Sequence, residues 1–357
     1  MNDLNILSRY VPSVGAGASV LVAMSGGVDS SVTAALLKEA GLEVVGAHMV
    51  CWEGCDLKDE KRDALRVALQ LEIPFLSFDF RDGYRERVFD YMIREYAEGK
   101  TPNPDVMCNR EIKFGLLLDK AQELGIDYVA TGHYARLDQA GGLPILSEAV
   151  DKEKDQSYFL WAIDRSRLGH CLFPLGNYTK HEVRDIARRL NLPTADKKDS
   201  QGLCFVGKVN FGYFLRDYLP LREGVVINSH GEILGKHDGV AFYTIGQRHG
   251  LGIGGLSPYY VAAKNLDTNT LIVGEGANDP VLFKSEIRVE WLNWLSDFRG
   301  GKCAVRIRYR QPKVPALLEG EGDSVRVVFD TPQRGVAPGQ SAVFYGDGRL
   351  LGGGVIM

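Results

Sequence analysis

The run Ser25-Gly26-Gly27-Val28-Asp29-Ser30-Ser31 follows a mostly apolar stretch, Val20 to Met24, and leads into the Ala- and Leu-rich stretch Val32 to Ala40. A short buried strand, a tight glycine turn and a helix start together make a cradle for phosphate. Glycines let the backbone approach, turn N–H groups converge on the anion, and the helix dipole favours negative charge. Ser25, Ser30 and Ser31 add hydroxyl donors. No Gly-Lys-Ser/Thr follows, so this is not the Walker loop, and the lack of Gly-x-Gly-x-x-Gly disfavours a dinucleotide fold. The plain alternative is an ordinary strand-to-helix turn.

A second chemistry is carried by sulfur. Cys108 lies in Thr101-Pro-Asn-Pro-Asp-Val-Met-Cys-Asn109, whose prolines argue against helix, and a helix is expected to begin just after the thiol. A thiol at a helix N-terminus has a lowered pKa and is a better nucleophile. The polar, proline-rich loop argues against burial, and Asp105 is close enough upstream to act as base or orienting group. Cys204, in Asp199-Ser-Gln-Gly-Leu-Cys-Phe205, reads equally as reactive or structural. Cys51 and Cys55 have no second pair, which is poor spacing for zinc or an iron–sulfur cluster, and are expected in a loop after the second strand. Cys171 and Cys303 have apolar neighbours and read as structural. His133 should end a strand beside the phosphate loop, with structural and functional roles both open. Arg306, Arg308 and Arg310 alternate, so they are expected on one face of a strand. A solvated face is the ordinary outcome there; RNA phosphate contact with Tyr309 stacking is the sharper one.

The elements that must position these residues follow from periodicity. Strands are expected at Leu42 to Val50, Pro74 to Phe80 and Asp127 to Tyr134, and helices at Lys58 to Leu71, Tyr84 to Glu98 and Ile112 to Leu124. That alternation implies an α/β fold with a doubly wound, mostly parallel sheet, whose ligands sit beyond the C-terminal strand ends. Residues 138–157 read as a turn-rich, charged insertion, with helical pattern resuming at Tyr158 to Ile163. Thr179-Lys-His-Glu182 is a capping box opening a helix through Leu190. Lys197 to Phe205 reads as loop running into strand. Past about residue 208 glycine is dense and strands are short. The expected division is 1–207 for the α/β domain that carries the phosphate loop, 208–278 for a small central β-rich domain and 279–357 for a C-terminal β-barrel. The last has β-rich runs at Ala304 to Tyr309, Ser324 to Phe329 and Ser341 to Tyr345.

The totals suit a soluble globular protein: 357 residues, 45% hydrophobic, 25% charged and a net charge of −4. No apolar run is long enough to span a membrane, and no signal peptide is visible. Six cysteines in a chain this long fit a reducing, cytoplasmic setting rather than a disulfide scaffold. The segment from Asp279 onward is the relatively basic piece, with 11 Lys/Arg against 9 Asp/Glu.

The loop resembles the PP-loop of the ATP pyrophosphatase superfamily, whose members cleave ATP to AMP and pyrophosphate while adenylating a substrate. The whole chain resembles the bacterial tRNA-specific 2-thiouridylases, which replace the C2 oxygen of the wobble uridine with sulfur. The matching segments are Met24-Ser-Gly-Gly-Val-Asp-Ser-Ser31, Thr101 to Asn109, Ala130-Thr-Gly-His-Tyr-Ala135, Lys154-Asp-Gln-Ser-Tyr-Phe-Leu160 and Asp199 to Phe205. Beyond them come Tyr243-Thr-Ile-Gly-Gln-Arg-His-Gly-Leu-Gly252, Arg308-Tyr-Arg-Gln311 and Pro338-Gly-Gln-Ser-Ala-Val-Phe-Tyr345.

The resemblance implies that Ala23, Met24, Ser25, Gly26, Gly27, Val28, Asp29 and Ser30 hold ATP with Mg²⁺, and that Met49 and Gly132 flank the nucleotide. Cys204 would carry a persulfide received from a sulfur donor, a cysteine desulfurase or sulfur-relay protein. Its terminal sulfur attacks C2, or nucleophilic Cys108 first liberates sulfide, leaving a Cys108–Cys204 disulfide either way. Asp105 is the implied base. Asn103, Pro104 and Asp105 would meet the target base, and His133, Lys154, Asp155, Gln156, Arg308, Tyr309 and Gln340 would contact tRNA. No tightly bound metal cluster and no membrane partner are implied. Two alternatives use fewer of these residues: a PP-loop synthetase that takes ammonia after adenylation, and an RNA-binding protein with a vestigial nucleotide site.

Overall fold

The structure, a computed structural model, describes residues 15, 17–53, 56–198, 211–254, 257–320 and 322–357. Its first layer is a parallel sheet. It contains β1 (Ser19–Ala23), β2 (Glu43–Val50), β3 (Phe75–Asp79), β4 (Tyr128–Ala130) and, after a hairpin of β5 (Ala135–Ala140) and β6 (Leu143–Glu148), β7 (Cys171–Leu172). The order β3-β2-β1-β4-β7 puts β1 at the point where the winding reverses, and Val22 is in register with both Gly46 and Ala130.

Both sheet faces are covered, which is why Val20, Leu21 and Val22 are wholly buried. Val20 and Val22 pack with α1 (Val28–Glu39), α2 (Asp56–Gln70) and, later in the chain, the helix Lys180–Arg189. Leu21 and Ala23 face the other way, onto two helical runs interrupted by π-helical turns. One passes from Arg81–Tyr84 through Arg85–Phe89 to α3 (Asp90–Ala97). The other passes from α4 (Pro104–Met107) through Cys108–Leu116 to α5 (Leu117–Glu123).

Three expectations are corrected. The strand expected to reach Tyr134 stops at Ala130, leaving Thr131 to Tyr134 as a crossing segment before β5. Of the residues expected as a turn-rich, charged insertion, 138–148 instead belong to the β5–β6 hairpin, while the charged stretch after it is turn as expected. Gly141 and Gly142, with φ of 60° and 80°, supply the tight turn, and Leu137 pairs with Leu146. The helical pattern at Tyr158 to Ile163 is only a single 3₁₀ turn, Ser157–Phe159. By contrast, the capping box is present: Thr179 and Glu182 each satisfy the other's backbone, and α6 (Lys180–Arg189) follows.

A four-stranded sheet comes next, formed by β8 (Gly224–Asn228), β9 (Ile233–His237), β10 (Tyr259–Asn265) and β11 (Thr270–Glu275). The final strands are β12 (Phe283–Trp294), β13 (Gly301–Arg306), β14 (Val314–Glu319), β15 (Ser324–Arg334), β16 (Ser341–Gly346) and β17 (Arg349–Ile356). They run β12-β15-β14-β13-β16-β17, and β17 pairs back onto β12, so the barrel closes. Ser147 of β6 pairs with Arg349 of β17, which attaches the hairpin of the α/β layer to the barrel wall.

Candidate nucleotide and thiol site

The phosphate loop lies at the winding reversal, outside the C-terminal end of β1, where ligands of doubly wound sheets bind. Met24 N–H still donates to Ala47 O at 2.7 Å, and the chain then turns. Gly26 has φ of 72°, and a side chain there would collide with the Glu60 carbonyl, so glycine is required. Gly27 is the N-cap of α1 and contributes no side-chain cap, which leaves first-turn amides for an anion. A Cβ on Gly132 would come within 2.9 Å of Ser30 N, so its bareness keeps that helix start open from the β4 side. The hydroxyls brace the loop: Ser25 N–H donates to Ser30 Oγ at 3.2 Å, and Ser31 Oγ donates to Gly27 O at 2.8 Å.

Three side chains that sequence reading did not single out converge here. Lys180 Nζ donates to both carboxylate oxygens of Asp29 at 2.8 Å, and the Tyr134 hydroxyl donates to Asp29 Oδ1 at 2.9 Å. Lys197 Nζ donates to Gly26 O at 3.0 Å and pairs with Asp63 at 2.7 Å. Lys180 had one available signal. It opens the first turn of a capped helix, where the helix dipole disfavours a cation. Tyr134 had none.

The thiol is placed differently from expectation. Helix begins before Cys108, at Pro104, because proline lacks an N–H that the first helical position has no use for. Asn103 caps the helix, its side chain accepting from Val106 N–H at 3.4 Å. Cys108 therefore lies past the first turn, where the helix dipole has faded, and opens the π-helical segment. Its expected exposure is overturned too: Cys108 is 0% exposed, in an apolar cluster with Ala23, Met49, Cys51 and Met107. Asp105, three residues before it, shares that side of the helix and is half-buried. Cys55 and Cys204, with the run Asp199 to Phe205, lie outside the described residues.

The barrel seals the turn ahead of this thiol. Gln340 Nε2 donates to Thr101 O at 2.9 Å and to Pro102 O at 3.3 Å, while Thr101 N–H donates to Pro338 O at 2.8 Å. Gly339, with φ of 89°, lets the two chains touch; a Cβ there would lie 2.9 Å from Thr101 N.

The alternating arginines do not share a strand face. β13 ends at Arg306, and a bend follows in which Arg310 adopts φ of 66°. Arg306 turns inward onto Asp155 at 3.1 Å and Glu148 at 3.3 Å. Arg308 Nη2 donates to Ile245 O at 3.1 Å, joining the barrel to the central β unit, and burial lowers its pKa. Arg310 stacks over Tyr309, whose ring lies 4.5 Å from that of Phe159. Asp155 is 3% exposed and accepts from Ala149 N–H and the Ser157 hydroxyl. Gln156 accepts from Tyr134 N–H at 3.0 Å, and Lys154 is half-buried in the adjoining turn.

His133 is not at a strand end but in the segment after β4, sharing a 2.7 Å hydrogen bond with Thr131 Oγ1. Burial, then the charge of Lys113, holds its pKa well below 6.5, so the ring is neutral near pH 7. Among the described residues, no group of three or more His, Cys, Asp or Glu is placed to hold a metal ion. No helix among them is long and apolar enough to cross a membrane.

Fold and site together define a PP-loop nucleotide-binding protein with β-barrel modules appended. Residues 18–208 match the family described as the tRNA methyl transferase HUP domain. Residues 212–275 match its PRC-barrel domain, and residues 284–356 match an aminomethyltransferase beta-barrel domain. The chain belongs to the tRNA-specific 2-thiouridylase family. It is 45% identical over 350 residues to the tRNA-specific 2-thiouridylase MnmA of Bacillus subtilis (strain 168), covering 94% of each chain. It is 46% identical over 353 residues to the protein of that name from Enterococcus faecalis, again covering 94% of each. A solved structure, U34-tRNA thiolase NcsA from Methanococcus maripaludis with its [4Fe-4S] cluster, is 18% identical. It aligns over 60% of this chain and 68% of that one with a TM-score of 0.40, too low to bear on the site.

Proposed function

We propose that the chain is an ATP-dependent tRNA-uridine 2-sulfurtransferase that thiolates C2 of the wobble uridine. The observation that carries this reading is the shared cluster of Ala23, Met49 and Cys108, which joins the phosphate loop's strand to the thiol. A uracil C2 carbonyl is urea-like, a poor electrophile with a poor leaving oxygen. Attack of that oxygen on the α-phosphorus of ATP expels pyrophosphate and makes AMP the leaving group.

In this reading Ala23 to Ser30 hold ATP, with Met49 and Gly132 flanking the nucleotide. Asp29 and the Ser30 hydroxyl are hard oxygen donors that suit Mg²⁺ arriving with ATP, and the ion would neutralise phosphate charge. Cys204 carries the persulfide delivered by a sulfur donor. The transfer leaves sulfur on C2 and a Cys108–Cys204 disulfide that a reductant must open. Asp105 acts as base, beside Asn103 and Pro104 at the target base, which leaves the anticodon stack at a cost of about a few kcal/mol. His133, Lys154, Asp155, Gln156, Arg308, Tyr309 and Gln340 form the RNA-facing set. Asp155 and Gln340 do so indirectly, by holding Arg306 and the Thr101–Pro102 turn. The working units are 1–207, 208–278 and 279–357, in a cytoplasmic protein.

The test is mass spectrometry of undermodified tRNA incubated with the protein, ATP, Mg²⁺ and a persulfide source. Replacement of one oxygen by one sulfur at the wobble uridine is expected. Pyrophosphate release without sulfur gain would favour an ammonia-using synthetase, and no tRNA-dependent release would favour a binding protein.

A further inference from the structure

A phosphate loop without a Walker lysine still has to offset the charge of a triphosphate, and the loop's own sequence has no cation. The geometry points to Lys180 as that cation, supplied from α6 to the β- and γ-phosphates of ATP and carrying the charge of the departing pyrophosphate. The inference rests on the ATP-site reading above.

Four observations converge. Lys180 is not a surface lysine: its side chain is 13% exposed and its ammonium lies on both oxygens of Asp29, inside the loop. Its backbone is fixed, because Lys180 N–H donates to Asp151 Oδ2 at 2.9 Å and the capping box holds the preceding residue. The Tyr134 ring lies under the ammonium at 5.9 Å, while the Tyr134 hydroxyl holds the same carboxylate. Finally, the placement works against local preference, since a cation in the first turn of a helix opposes the dipole. A residue held this way against its own helix serves something outside it.

Asp29 is the ammonium's partner without nucleotide. When the triphosphate enters, the same ammonium is shared between Asp29 and the phosphates. As the uracil O2–Pα bond forms and the bond from Pα to the pyrophosphate oxygen breaks, the extra negative charge on pyrophosphate develops beside Lys180. Lys197, by contrast, is directed to the Gly26 carbonyl and to Asp63, so it fixes loop shape.

The test separates phosphate contact from mere neutralisation of Asp29. Calorimetry with ATP is run on the parent, Asp29→Asn, and Asp29→Asn with Lys180→Met. If Lys180 only neutralises Asp29, the two variants bind ATP alike, which overturns the inference. If it meets the phosphates, the double variant binds about 10-fold more weakly than Asp29→Asn, with a shallower salt dependence. In turnover, Lys180→Met lowers tRNA-dependent pyrophosphate release by about 100-fold, and Lys180→Arg recovers part of it. Turnover of Lys180→Met within about threefold of the parent also overturns it. The Asp29→Asn background removes the carboxylate left unpaired by the lysine change, so the comparison survives if Lys180→Met alone is unstable. A parent that fails to bind ATP would sink the ATP-site reading itself, whereas a parent that binds and variants that bind equally would sink only the role of Lys180.

Discussion

The phosphate loop and the thiol turn are built on opposite plans. The loop is contiguous: one strand end, one glycine turn and one helix start, with its hydroxyls bonded to its own backbone. The thiol turn is assembled from afar. Cys108 sits in a sealed apolar cluster, and the turn ahead of it is closed by Pro338 and Gln340 from the barrel. A contiguous device tolerates little change within itself, whereas an assembled one is vulnerable wherever its pieces meet.

Cys108→Ser breaks the comparison most sharply. Thiolation of tRNA is expected to fall by more than about 1,000-fold, with pyrophosphate release within a few-fold of the parent. Both rates falling together would show that the two regions act as one. Gly26→Ala is the converse change, because it strains a left-handed backbone and drives a methyl group into the Glu60 carbonyl. ATP affinity measured by calorimetry should drop by about 30-fold or more, with about 1–3 kcal/mol lost from unfolding stability.

Gln340→Ala removes two hydrogen bonds to the Thr101–Pro102 turn without touching the loop. Sulfur transfer should slow by about 10-fold while ATP binding is unchanged, with a stability cost of about 1–2 kcal/mol. The smallest expected effect is a pH slope. His133 is held neutral in the fold, so the unfolded chain takes up the proton first as pH drops below about 6.5. Its contribution is complete above that pH and declines below it; His133→Asn should flatten that part of the stability profile in chemical denaturation.

The same contrast explains what was legible in the sequence. Ser25 to Ser31 could be read because its neighbours in space are its neighbours in the chain, and Thr179-Lys-His-Glu182 could be read as a cap for the same reason. The burial of Cys108 could not, because its cluster draws on Ala23, Met49 and Cys51, far back in the chain, while the turn ahead of it is held by Pro338 and Gln340. The β5–β6 hairpin was hidden because its Gly141-Gly142 turn lies in a charged stretch and its outer pairing is with β17. Arg308 kept the strand's period on paper, yet the chain bends after Arg306 once that guanidinium is held by Asp155 and Glu148. Lys180 shows an intermediate case: its helix was legible, its target was not.

The clasp between Gln340 and the Thr101–Pro102 turn also bears on biosynthesis. Domains fold from the N-terminal end as the chain is made. The parallel sheet and its phosphate loop can therefore form early, while the turn before Cys108 waits for residues 338–340 of a 357-residue chain. Ribosome-stalled chains ending before residue 335 are expected to bind ATP yet leave the Thr101–Pro102 turn open to proteolysis. Equal protection of that turn in stalled and released chains would remove that timing.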